Sequence, residues 1–182
     1  MMEYTNKYWK MLMPLIKRSL TKRLGKEETA ELIKKADTVY RDMLNRIDDV
    51  GKDNPMASNI YECLVFLAVW KASDGKITVD GLREITREIM STPILKAAGL
   101  YINANKPAGI KRIGKMMTNS AKWIDEHPQY RAASWDFNFD PGKHSEGFYY
   151  HFTRCPLNTF AHREGYLEVL PVMCEIDLLT AG

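Results

Sequence analysis

The residues best suited to chemistry crowd into one stretch near the end of the chain, 148-FYYHFTRCPLNTFAHREGYLEVLPVMCEID-177. It holds Cys155 and Cys174 of the three cysteines, His151 and His162 of the four histidines, and the densest aromatic run. Cys155 stands between Arg154 and Pro156. Proline suits the first turn of a helix, so Cys155 reads as the residue at that helix's start. There the helix dipole and the neighbouring cation favour thiolate, the reactive form of cysteine. A small buried cysteine at a strand–helix junction fits the same position, and both readings stand.

His151 is the base to seek for that thiol. Four residues along a strand span about 13 Å, however, which is beyond hydrogen-bond reach. The two can still line one pocket with a substrate between them, or His151 can cap a sheet edge. Cys174 and Asp177 lie three apart and share a helical face. Cys155, Cys174, Asp177 and a histidine form a chemically feasible zinc set, but no CxxC or HxxxH spacing anchors it. The expectation is no metal and no other cofactor; a redox disulfide between Cys155 and Cys174 is the remaining thiol alternative. Cys63, inside an apolar run, reads as core. Neither a Gly-rich phosphate loop nor a GxSxG motif is present.

The elements that must position these residues follow from periodicity. Residues 3–24 keep helical spacing through Leu12, Leu15, Ile16 and Leu20, with Pro14 forcing a kink or marking the first regular turn. Gly25 stops that helix, and 26–47 form its antiparallel partner. Ser58 is placed to cap a third helix to about 72, apolar nearly all round and so the most buried. Thr78 caps a short fourth helix. A further helix is expected from Pro93 to about 104, and another from Pro107 to His127.

At Tyr130 the period changes from 3.6 to 2. Trp135, Phe137 and Phe139 alternate with polar residues, as do Phe148, Tyr150 and Phe152, giving an antiparallel hairpin. Its aromatic face should pack on helices. Its polar face, with Asp136, Asn138, Tyr149, His151, Thr153 and then Cys155, is the expected site wall. Gly165 separates the helix after Pro156 from a last one over 167–179.

The expected fold is α+β: a helical N-terminal half packed on a small antiparallel β-sheet, with C-terminal helices. A single domain spans 1–182, helical over 1–127 and carrying the hairpin and site over 128–182. With 45% hydrophobic and 27% charged residues in 182, a real core is available. The net charge of +3 is mild and its cations are scattered, so nucleic acid is not an expected partner. An odd cysteine count without framework spacing suits a reducing compartment. No apolar run approaches a membrane span and no leader opens the chain, so a cytoplasmic protein without membrane contact is expected. A small-molecule substrate is the expected partner, with a homodimer left open.

The block from Phe148 to Asp177 resembles the L-2-amino-thiazoline-4-carboxylic acid hydrolase family. The shared features are an aromatic strand ending in Arg154-Cys155-Pro156, then Gly165, then Cys174-Glu175-Ile176-Asp177 in a helix. The helical N-terminal half, with KRLGKEETAELI, is similar too. Family members usually continue beyond that helix with an Arg-bearing strand and a strand ending in Cys-Asp-Phe, whereas this sequence ends at Gly182. Either the sequence is truncated or this member lacks that last hairpin, and an incomplete sheet with an exposed edge is the expectation for the residues given.

The resemblance implies a hydrolase that opens the thiazoline ring of a cyclic cysteine derivative to a carbamoyl-cysteine, acting on a cyclic amidine-like C–N bond. In that picture Cys155 attacks or polarises the ring carbon. Asp177 holds the amidinium or acts as acid and base, and His151 shuttles protons. Arg154 pairs with the substrate carboxylate, while Cys174 and Tyr149 line the pocket. The competing reading is a small-molecule binding or sensor domain without turnover.

Overall fold

The computed structural model describes residues 6–95, 102–140 and 142–181. Helix α1 (Asn6–Leu24) continues through Pro14, burying Leu12, Ile16 and Leu20 completely. Gly25, at φ 80°, reverses the chain into α2 (Lys26–Arg46). Helix α3 (Ala57–Ala72) packs against both. Eleven of its sixteen residues are buried, which makes it the centre of the core. Ser58 does not cap it. Met56 is the cap residue, and its amide donates to Asn54 Oδ1 at 3.0 Å. The Asn54 side chain in turn donates to Val50 O and to Ser134 Oγ, tying this loop to the chain just before the sheet.

Thr78 does cap α4 (Val79–Met90), accepting from the Gly81 amide at 3.1 Å. Glu88 pins α4 to α1, accepting from Ser19 Oγ at 2.7 Å, Arg23 at 2.9 Å and Lys22 at 3.1 Å. A single turn, α5 (Pro93–Leu95), follows. The longer helix expected there falls largely outside the described residues. Helix α6 (Pro107–Glu126) leads through a 3-10 turn (Pro128–Ala133) to β1 (Asp136–Phe139).

Strand β2 (Tyr150–Arg154) pairs antiparallel with β1, setting Phe137 opposite Phe152, Asn138 opposite His151 and Phe139 opposite Tyr150. Phe137, Phe139, Phe148, Tyr150 and Phe152 form one aromatic ladder, with neighbouring centroids 5.3 to 6.0 Å apart. Gly114 lies under the Phe148 ring, so the ladder rests on α6. Burial is partial: Phe139 and Phe152 keep 39% and 37% of their surface exposed. Helix α7 (Pro156–Glu164) ends at left-handed Gly165, and α8 (Leu170–Ala181) packs on α4. The architecture is α+β, as the periodicity predicts.

Candidate active site

The site grows from one face of α3. Ser58, Asn59, Glu62, Cys63 and Phe66 recur at helical spacing and line a cavity of about 260 Å³. Ile176 and Asp177 of α8, Arg112 and Met116 of α6, Met90 and Ile102 complete the wall. This volume sits just below the range for drug-sized ligands, so it suits a small one. A second hollow, about 40 Å³ between α2 and the α3–α4 connection, is spanned by the Lys76–Glu28 and Lys35–Asp74 pairs. It is too small for anything beyond a water or two.

Two carboxylates therefore face one space. Burial raises the pKa of Glu62 to about 7, helped by the negative charge of Asp177 and opposed by Lys7. Burial also raises Asp177. The Asp177 side chain remains reachable by solvent although protein surrounds it, as expected of a group on the wall of an open cavity. Cys63 is buried and held well up as a neutral thiol, first by burial and then by Asp177, Glu62, Cys155 and Cys174. Cys174 is raised by burial, then by Cys155 and Asp177. These mutual effects put the three thiols and both carboxylates in one electrostatic neighbourhood.

Cys155 stands at the N-cap of α7, half-buried, its carbonyl accepting from the Thr159 amide at 3.0 Å. Neither it nor Cys174 lines the cavity. Arg154 lies off it too, its Nη1 donating to the Arg131 carbonyl at 2.7 Å. Tyr149 and His151 are exposed, and the Tyr149 ring stacks on His144 at 3.7 Å. The polar face of the hairpin is thus not the cavity wall. The aromatic face is the one turned toward the site: Tyr150 is half-buried, and Asp177 adds to burial in raising its pKa. That face is covered in part, with Phe148 resting on α6 at Gly114, and no described hairpin residue lines the cavity.

Glu62, Arg112, Ser58 and Asn59 are site residues that sequence reasoning passed over. One signal was there: Glu62 is the only charged residue between Asp53 and Lys71. A single carboxylate in an otherwise apolar helix is costly to bury and asks for a reason. Among the described residues, no three His, Cys, Asp or Glu side chains converge to hold a metal. No helix among them is long and apolar enough to cross a membrane.

A family model described as L-2-amino-thiazoline-4-carboxylic acid hydrolase matches residues 58–181, which takes in all but the first residue of α3, the whole of α6 and α8, and every described residue of the cavity wall. No curated protein and no solved structure matches the chain.

Proposed function

The chain belongs to the L-2-amino-thiazoline-4-carboxylic acid hydrolase family, and on that premise we propose that it hydrolyses the five-membered ring of a small, carboxylated cyclic amidine. The observation that carries this reading is a cavity lined by Arg112 together with the carboxylates of Glu62 and Asp177. Such a substrate presents a carboxylate at one end and an amidinium at the other. Arg112 offers its planar fork to the carboxylate. It takes the role expected of Arg154, which does not line the cavity. Asp177 accepts a proton from the water that attacks the ring carbon between nitrogen and sulfur.

We assign the bond that breaks to carbon–sulfur. The ring sulfur departs and the carbon keeps two nitrogens and gains the water oxygen, a urea. Cleavage of the ring carbon–nitrogen bond, the expectation from sequence, would instead leave a thiocarbamate and a free amine. The two outcomes differ in what is released.

The test is incubation with 2-amino-thiazoline-4-carboxylate while free thiol and free amine are followed separately. Thiol release is expected. It should fall about 100-fold or more in Asp177→Asn, and Arg112→Leu should raise KM more than it lowers kcat. A protein that is stabilised by the compound but releases neither product is a binding or sensor domain instead.

A second reading is favoured by the place of Cys155 at the α7 N-terminus. Its thiol adds to the same ring carbon and expels the ring sulfur, leaving an isothiouronium on Cys155. Water then hydrolyses that adduct, returning the thiol and the urea. Cys155→Ser separates the two: retained turnover means direct attack by water, and loss of turnover with a mass adduct on Cys155 in Asp177→Asn means the covalent route.

A further inference from the structure

Helix α3 is the most buried element of the fold, and a charge among its packed residues is costly. Glu62 stands, half-buried, at the face where α3 borders the cavity that Asp177 of α8 also lines. We propose that Glu62 is a second catalytic residue, the acid that protonates the departing ring sulfur while Asp177 serves as base. The inference rests on the hydrolase reading above and deepens it.

The protons balance over one turnover. The substrate enters as amidinium, with Asp177 ionised and Glu62 protonated. Water adds its oxygen to the ring carbon and gives one proton to Asp177, leaving a neutral tetrahedral intermediate. That intermediate collapses as the carbon–oxygen double bond forms and the carbon–sulfur bond breaks. The Glu62 carboxyl gives its proton to sulfur through one oxygen and takes the hydroxyl proton on the other. Asp177 then loses its proton to solvent, which is the proton the amidinium brought in. No oxidant, metal or second substrate is needed.

The surroundings of Glu62 suit a group that must be protonated near neutrality. Burial and Asp177 of α8 hold its proton on to about pH 7, while Lys7 of α1 pulls the other way. Tyr8 of α1 and Tyr40 of α2 both feel the charge of Glu62, as does Cys63 on its own helix. Arg112 of α6 lines the same cavity. Two carboxyl groups in one site, with environments that keep one proton between them, is the usual arrangement when one acts as acid and the other as base.

The deciding experiment pairs kinetics with a titration that needs no turnover. Glu62→Gln should lower kcat about 100- to 10,000-fold with KM changed only a few-fold, and Glu62→Asp should recover part of the loss. In the unmodified protein kcat/KM should fall as pH rises through about 7, since the acid is lost there. In protein carrying carbon-13 glutamate carboxyl labels, one carboxyl should titrate near that pH, disappear in Glu62→Gln and move lower in Asp177→Asn. Turnover by Glu62→Gln at the unmodified rate overturns the inference alone. So does a labelled carboxyl that ignores Asp177. An unmodified protein that opens no ring overturns the hydrolase reading and this role together.

Discussion

A carboxyl group that keeps its proton to about pH 7 inside a folded chain weakens that fold in alkali. Free glutamate titrates near 4.5, so between that value and 7 the folded protein binds more protons at Glu62 than the unfolded chain. Stability is full below the unfolded value and falls as pH rises through the folded one. The ceiling is about 3 kcal/mol, since each pH unit separating the two values is worth roughly 1.4 kcal/mol. Glu62→Gln should therefore melt higher than the unmodified protein at pH 8 by several degrees and show little difference at pH 4, as thermal melts across pH would reveal. Asp177 contributes in the same direction, its carboxyl also being raised by burial. A variant that gains stability while losing turnover is the pattern expected of a site residue rather than a structural one.

At the scale of elements, the turn at Gly51 governs how α6 meets the core. Its φ of +85° belongs to glycine, and an added methyl would overlap the Trp123 ring. Trp123 in turn stacks on His127 at 4.2 Å and on Tyr130 at 5.5 Å. Gly51→Ala should cost about 1–3 kcal/mol, measurable by urea denaturation, and should disturb the end of α6 most. The first four helices, the change of period at Tyr130, the Thr78 cap and the Gly165 stop were all legible in the sequence, because each depends on local chemistry. The side of the hairpin that meets the site was not. Alternation tells which residues share a face, but not where a cavity opens. Glu62, Arg112 and Asp177 come from helices far apart in the chain, and only packing brings them together.

For the molecule as a whole, the site depends on the seam between α4 and α8. Glu175 accepts from Arg83 at 2.9 Å and from Arg87 at 3.0 Å, two residues before Asp177 on the same helix. These charges, Arg83 first, hold the Glu175 carboxyl below its ordinary range. The clamp is present above the ordinary glutamate range and is released as pH falls below it. Arg83→Met should speed amide exchange along α8 while leaving α3 protected, and should lower kcat by loosening Asp177. Hydrogen exchange followed by mass spectrometry would locate the effect. The opposite wall has no such freedom, because α3 is floor of the cavity and centre of the core at once. Retuning the cavity toward another ligand, in evolution or in the laboratory, must therefore proceed through α6 and α8. Substitutions at Phe66 or Cys63, which belong to the core as well as to the cavity wall, would trade selectivity against the integrity of the entire chain.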